Sequence, residues 1–160
     1  MLAVMATTAE VAAAMLLLHR AGIVHGDLSA ANVLLSSCDY TAGFGGRNFV
    51  AKVTDFGLQQ RYDPATLADN PYHSIAHLAP EVLQHGTCTK AADVYSFGVL
   101  IFMMATGSSA WAGLPHAAIV EAVCTHKRQL AFAPEAPLPL TLLARACMAH
   151  NLPSGPASST

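Results

Sequence analysis

The sequence is poor in charged residues. Of its 160 residues, 11% are Asp, Glu, Lys or Arg and 53% are hydrophobic, whereas a typical soluble domain is about 25% charged. Eight basic and ten acidic residues give a net charge of -2 with no basic run, which argues against a nucleic-acid-binding surface. Two explanations of the charge shortage stay open: an apolar face that something else covers, or an alanine-rich composition.

Long uncharged runs and closely spaced cysteines are also missing. Glu10 interrupts the apolar N-terminal stretch, so no membrane span of about 18 residues is expected. No basic segment precedes this stretch and no small-residue cleavage site follows it, which favours a helix over a signal peptide. The cysteines show no C-x-x-C spacing, so we expect reduced structural thiols and a cytoplasmic protein. They are Cys38, Cys88, Cys124 and Cys147.

Three short motifs follow one another along the chain. Residues 25–32 match the pattern H-x-D-L-x-x-x-N, residues 55–57 read D-F-G, and residues 79–81 read A-P-E. Each motif is weak on its own, but their order and spacing are the signature of a protein kinase. The chain therefore resembles the protein kinase family over about residues 10–156.

The motifs that this family carries further upstream are absent from the sequence. Kinases hold the nucleotide phosphates with a glycine-rich loop, a strand lysine and a helix glutamate. Only 24 residues precede His25, and they contain one glycine, Gly22, and no lysine. The resemblance therefore implies a kinase C-lobe with its N-lobe absent, a mainly α fold whose one small β-hairpin carries the catalytic loop and D-F-G. We expect a truncated kinase domain over residues 1–152 and a flexible tail over residues 153–160.

Hydrophobic periodicity predicts elements that suit this fold. Residues 94–104 are apolar almost all round, which predicts a helix buried at the centre of the domain. Residues 55–81 are expected to form a loop. Helices are predicted over about residues 8–21, 91–106, 115–126 and 140–150, the first ended by Gly22 and the second by Gly107, and a hairpin over residues 33–35 and 49–53.

The resemblance also implies roles for individual residues. Asp27 is expected to be the catalytic base, which accepts the proton of the substrate hydroxyl. Asn32 and Asp55 are expected to hold Mg²⁺, an ion that prefers oxygen ligands beside phosphate, and Leu34 is expected to lie under the adenine of ATP. Taken singly, these residues suit Asx turns, helix caps or, for Leu34, a core position. The joint pattern favours catalysis.

Other residues have expected structural roles. His25 is expected to hold the loop through its ring and backbone, and Asp93 to accept hydrogen bonds from buried backbone N–H groups of that loop. His73 and His77 lie four residues apart, as metal ligands on a helix do, but the proline nearby makes this spacing a coincidence. The resemblance puts Ser74 near the substrate hydroxyl.

Two positions depart from the family pattern. Gly26 stands where the family has an arginine that pairs with a phosphate on the activation segment. Phosphorylation of Thr66 or Ser74 is therefore not expected to switch this chain by that route. Ser29 stands where serine/threonine kinases have a lysine, so no cation of the loop faces the transferred phosphate. Weak activity is the expected consequence.

Residues 79–83, 99–100 and 111–114 make the sequence similar to tyrosine-kinase-like serine/threonine kinases. The resemblance implies that the γ-phosphate of ATP is transferred, with Mg²⁺, to a Ser or Thr hydroxyl of a protein substrate. The chain alone is expected to show negligible turnover, because its sequence lacks the glycine-rich loop and the strand lysine that hold the nucleotide phosphates in kinases. Two alternatives stay open: a pseudokinase-like module that docks a partner through its apolar face, and a truncated product.

Overall fold

The structure is a computed structural model that describes residues 2–38, 47–58, 62–65 and 75–149. The predictions for Thr66, His73 and Ser74 and for the C-terminal tail lie outside the described residues. The predicted fold, mainly helical with one small hairpin, is confirmed for the described part of the chain. Its helices are α1 (Leu2–Arg20), α2 (Pro80–His85), α3 (Lys90–Thr106), α4 (His116–Val120) and α5 (Leu138–Cys147), and its strands are β1 (Val33–Ser37) and β2 (Phe49–Val53).

Helix α1 is longer at its N-terminus than the sequence predicted. It begins at Leu2 rather than near Thr8, because the Ala, Leu and Met residues before Thr8 favour helix and no proline or glycine interrupts them. Gly22, with φ +78°, lies in the left-handed conformation just beyond the helix, as predicted. The helix is therefore nearly one and a half turns longer than the segment, residues 8–21, that hydrophobic periodicity predicted to be helical.

By length and composition α1 is apolar enough to cross a membrane. Core helices of soluble proteins and N-terminal signal sequences can be equally long and apolar, and less than a third of this apolar segment is buried. Val11 and Met15 pack against Leu28 and Leu100, so one face of α1 belongs to a core of this fold. The absence of a membrane span stays a prediction.

The hairpin is fixed to α1 by an acidic side chain. Strands β1 and β2 pair antiparallel, with Val33 opposite Val53. The Glu10 carboxylate of α1 accepts a hydrogen bond from the backbone N–H of Ala51 at 2.8 Å and pairs with the guanidinium of buried Arg47. Glu10 thus joins the helix to the outer edge of β2, which sets the position of the hairpin's far end.

Helix α3 is the central helix, as its apolar sequence predicted. The hydroxyl of Thr89 accepts a hydrogen bond from the N–H of Ala92 at 3.1 Å, and Gly107 ends the helix with φ +66°. Helices α1 and α5 both pack against it. Its buried residues are Ala92, Asp93, Tyr95, Ser96, Gly98, Val99, Leu100, Ile101 and Phe102.

Three boundaries differ from the sequence prediction. The loop predicted over residues 55–81 was given too late an end, because Pro80 already starts α2, and a proline at the first helical position loses no hydrogen bond. The helix expected over residues 115–126 is α only to Val120. It continues as one π turn, Glu121–Thr125, because the N–H of His126 bonds to the carbonyl oxygen five residues back. Helix α5 begins two residues and ends three residues earlier than expected.

Gly98 allows α3 and α5 to approach closely. A Cβ added there would lie 2.8 Å from both Cβ of Cys147 and Cγ of Met148, and 2.9 Å from the carbonyl oxygen of Ala144. We therefore expect Gly98→Ala to lower the free energy of unfolding by about 1–3 kcal/mol, measured by urea denaturation. In the control Gly107→Ala the added Cβ meets nothing within 4 Å, so only backbone strain of about 1 kcal/mol is expected. Unchanged stability of Gly98→Ala would contradict this packing.

Candidate active site

Asp93 of α3 holds the loop formed by residues 25–32. Its Oδ2 accepts the backbone N–H of His25 at 2.8 Å, and its Oδ1 accepts that of Gly26 at 2.9 Å. Nε2 of His19 lies 2.8 Å from Oδ2 as well. The Asp93 side chain is 2% exposed, so these partners replace the water that burial removes. The predicted structural role of Asp93 is confirmed.

His25 fixes the same loop from within, also as predicted. The residue is fully buried, and its Nδ1 accepts the backbone N–H of Asp27 at 3.2 Å. Its carbonyl oxygen accepts the N–H of Gly57 at 3.2 Å. Because Gly57 is the last residue of D-F-G, His25 joins the two motifs through main-chain and ring contacts.

Asp27 and Asn32 are in direct contact. Nδ2 of Asn32 donates to the carbonyl oxygen of Asp27 at 2.8 Å and to its Oδ2 at 3.1 Å. The amide nitrogen therefore faces Asp27, and the amide oxygen points away from it. That oxygen accepts no hydrogen bond from the described residues, and it is the atom that a metal ion would use.

The hairpin register brings Asp55 beside Asn32. Thr54 donates to the carbonyl oxygen of Asn32 from its N–H at 2.9 Å and from its hydroxyl at 3.3 Å. Asp55 follows at once, with an exposed side chain and φ +56°, a conformation that aspartate adopts more readily than most residues. The three predicted site residues thus lie at one end of the hairpin.

The donor set suits Mg²⁺ completed by phosphate. Among residues 2–38, 47–58, 62–65 and 75–149 no group of three or more His, Cys, Asp or Glu side chains could hold a metal by itself. Asn32 and Asp55 offer an amide and a carboxylate oxygen, and Mg²⁺ commonly takes one or two protein oxygens together with phosphate oxygens and water. Asn32 and Asp55 therefore fit a Mg²⁺ ion whose remaining ligands would come from the phosphates of a bound nucleotide and from water.

Leu34 lies on the surface of β1 rather than in the core. It is opposite Lys52 and 54% exposed, so the alternative that it is a core leucine is wrong. Three further apolar side chains in or next to the hairpin, Leu35, Phe56 and Leu58, are also exposed. We call these four residues the exposed apolar residues of the hairpin. Leu34 and Leu35 follow one another in β1, so their side chains point to opposite faces of the strand.

Two side chains that contact Asp27 were not expected from the sequence. Nε2 of His77 lies 2.8 Å from Asp27 Oδ1, and the hydroxyl of Tyr62 donates to the carbonyl oxygen of Gly26 at 3.1 Å and to Asp27 Oδ1 at 3.4 Å. In the sequence, His77 drew notice only because it lies four residues from His73, a spacing that we interpreted as a coincidence and not as a metal site. The signal available in the sequence was the position of His77 two residues before A-P-E, one of the three motifs that define the site.

Burial keeps the groups around Asp27 protonated. Desolvation raises the pKa of the Tyr62 hydroxyl well above its ordinary value, and the nearby Asp27 carboxylate raises it further. Desolvation also raises the pKa of the Cys88 thiol from 9.0 to about 11, with smaller contributions from Asp93 and Asp27. At neutral pH both groups are neutral, so Tyr62 is a hydrogen-bond donor to the loop.

A cavity of about 230 Å³ adjoins this loop. Its lining includes Ser29, His77 and, from α3, Leu100 and Met103. Among the described residues, no Asp, Glu, Lys or Arg side chain lines it. An uncharged group would therefore fit this cavity better than a charged one.

Comparison with known proteins identifies protein kinases as relatives of this chain. The sequence model of the family described as "protein tyrosine and serine/threonine kinase" matches residues 1–158. A mitogen-activated protein kinase kinase kinase, dlk-1, from Caenorhabditis briggsae is 31% identical over 145 residues, which are 89% of this chain and 16% of that protein.

Two other relatives show the same pattern. The serine/threonine-protein kinase-transforming protein mos of a myeloproliferative sarcoma virus is 34% identical over 109 residues, 66% of this chain and 29% of that protein. An inactive leucine-rich repeat receptor-like serine/threonine-protein kinase of Arabidopsis thaliana is 36% identical over 96 residues, 59% of this chain and 13% of that protein. The chain thus spans less than a third of each of these relatives.

Proposed function

The chain belongs to the protein tyrosine and serine/threonine kinase family, and we propose that it is the C-terminal lobe of a tyrosine-kinase-like serine/threonine kinase. The proposed reaction transfers the γ-phosphate of ATP to a Ser or Thr hydroxyl of a protein substrate. The observation that carries the proposal is the contact between Asp27 and Asn32 at the end of the hairpin from which Asp55 projects. The named kinase relatives support it.

Each residue of the site has a separate task in this proposal. Asp27 accepts the proton of the attacking hydroxyl, and the Nδ2 of Asn32 holds its carboxylate. The amide oxygen of Asn32 and the carboxylate of Asp55 hold Mg²⁺, which when bound offsets the charge of the phosphates. Leu34, exposed on β1, contacts the adenine from below. Phosphoryl transfer needs mostly such positioning and charge compensation.

The proposed enzyme is slow. Residues 25–32 contain no lysine or arginine, and the loss of one group that stabilises the developing charge lowers turnover by about 10²–10³. Ser29 occupies the position where such a cation would stand. The chain by itself is also proposed to transfer negligible phosphate, because its sequence contains no glycine-rich loop with a phosphate-binding lysine ahead of residue 25.

Nucleotide binding tests the proposal directly, because a ligand that binds the folded state raises its stability. At an ATP concentration about 100 times the dissociation constant, the expected gain of about 2.7 kcal/mol raises the melting temperature by about 5–10 °C. The rise should require both Mg²⁺ and ATP, so ATP with EDTA and Mg²⁺ alone serve as controls. A melting temperature that does not move at millimolar Mg²⁺ and ATP would contradict the proposal.

A second candidate function is a pseudokinase-like binding module, and the exposed apolar residues of the hairpin favour it. Leu34, Leu35, Phe56 and Leu58 are 54%, 60%, 45% and 78% exposed, and large apolar side chains left in solvent are what a binding partner would cover. In a kinase Leu34 would be covered by the adenine. Retention of Asp27, Asn32 and Asp55 favours catalysis. The Mg²⁺–ATP experiment separates the two candidates.

A further inference from the structure

The contact between His77 and Asp27 joins two distant parts of the chain. Nε2 of His77 lies 2.8 Å from Oδ1 of Asp27, although the two residues are fifty positions apart. The His77 side chain is 8% exposed and that of Asp27 is 31% exposed. An ionised carboxylate only accepts hydrogen bonds, so His77 is the donor through its Nε2–H.

His77 is itself fixed by the central helix. Its carbonyl oxygen accepts the hydroxyl of Ser96 at 2.8 Å, and Ser96 is buried in α3. The next residues, Leu78 and Ala79, are buried in the same core. Because backbone and ring are both enclosed, the imidazole has little freedom to turn away from Asp27.

The two oxygens of Asp27 accept hydrogen bonds from different parts of the chain. His77 contacts Oδ1 at 2.8 Å and the Tyr62 hydroxyl makes a longer contact with the same oxygen at 3.4 Å, whereas Asn32 donates to Oδ2 from within the loop. Donors on separate oxygens fix the plane of the carboxylate as well as its position. Because His77 makes the shorter contact with Oδ1, its loss would leave that oxygen with the weaker Tyr62 contact.

We propose that His77 is a positioning residue that orients the Asp27 carboxylate through its Nε2–H. The role in catalysis rests on the proposed function, in which Asp27 receives the substrate proton. His77 keeps one oxygen of the base occupied, so the substrate hydroxyl approaches the carboxylate in a single orientation. Precise orientation of a base is a large part of its catalytic effect.

The proposal is tested on the whole chain by nuclear magnetic resonance with ¹⁵N-labelled histidine. We expect the Nε2–H signal of His77 to exchange with water at least about tenfold more slowly than that of His126, whose pair with Glu121 is exposed. Asp27→Ala should bring the exchange of His77 close to that of His126. Equal exchange of His77 and His126 in the wild-type chain would overturn the proposal.

Two substitutions separate the hydrogen bond from the volume of the ring. His77→Phe keeps a ring but removes the donor, so the ¹³Cγ signal of Asp27 is expected to shift. His77→Gln supplies an N–H donor and should restore most of the wild-type position. An Asp27 signal that moves equally in both variants would overturn the positioning role, because a purely structural contact would give that result. Missing stabilisation of the wild-type chain by Mg²⁺ and ATP would count against the proposed function alone.

Discussion

Asp55→Asn is expected to remove most of the stabilisation that Mg²⁺ and ATP give the chain. Asparagine tolerates the φ of +56° nearly as well as aspartate, so the substitution takes away the charge and leaves the backbone in place. Loss of the charged metal ligand is expected to weaken Mg²⁺-dependent ATP binding by about 10–100-fold, the size of effect that changes around a metal site have on metal affinity. Thermal shift at increasing ATP measures this loss, and the melting temperature without ligand should stay close to that of the wild type.

Asp63→Asn is the matched control. Asp63 is an exposed aspartate whose Oδ1 accepts the N–H of Ala65, and asparagine can accept the same bond. The control should keep the full response to Mg²⁺ and ATP. If Asp55→Asn responded as strongly as the control, Asp55 would not be a metal ligand.

Asp93→Ala is expected to give the largest loss of stability among the substitutions considered. It leaves the buried N–H groups of His25 and Gly26 without their acceptor, and each unpaired buried group costs about 1–3 kcal/mol. The expected total is about 3–5 kcal/mol. A domain of this size has only about 5–15 kcal/mol of stability to lose. The midpoint of its cooperative unfolding should therefore shift to a much lower urea concentration.

A graded series tests the cause of this loss. Asp93→Asn keeps the shape but replaces one accepting oxygen by an NH₂ group, which must then face a backbone N–H. It should therefore be less damaging than Asp93→Ala and clearly destabilising. Glu121→Ala removes a carboxylate from an exposed pair with His126 and should change stability by less than about 0.5 kcal/mol. Equal stability of all three variants would contradict the role assigned to Asp93.

The sequence was most informative where local chemistry decides the structure. The bounds of β2, the glycine ends of α1 and α3, and the acceptor role of Asp93 were all predicted correctly. Strand alternation and glycine at a left-handed position depend on neighbouring residues, and the Asp93 contact follows from the need to pair buried N–H groups. The three motifs identified the residues of the candidate site because each motif is a short, local stretch of sequence.

The contacts that sequence reasoning missed depend on chain segments far apart. His77 and Tyr62 lie 50 and 35 positions from Asp27 along the chain, so only the tertiary fold brings them into contact with it. The salt bridge of Arg47 with Glu10 likewise joins the residues just before β2 to α1 across 37 positions. No local pattern reports such tertiary contacts. The π turn Glu121–Thr125 was missed because its hydrophobic spacing differs little from that of an α-helix.

Paramagnetic broadening by Mn²⁺ in place of Mg²⁺, in the presence of ATP, tests the central assignment most directly. If Asn32 and Asp55 hold the metal, the Asn32 side-chain amide signal and the Asp55 backbone signal should disappear at substoichiometric Mn²⁺. The amide of Leu142, on α5 and packed beyond α3, should stay sharp. Sharp signals from Asn32 and Asp55 at saturating Mn²⁺ and ATP, or broadening that is the same throughout the chain, would contradict a metal–nucleotide site at the end of the hairpin.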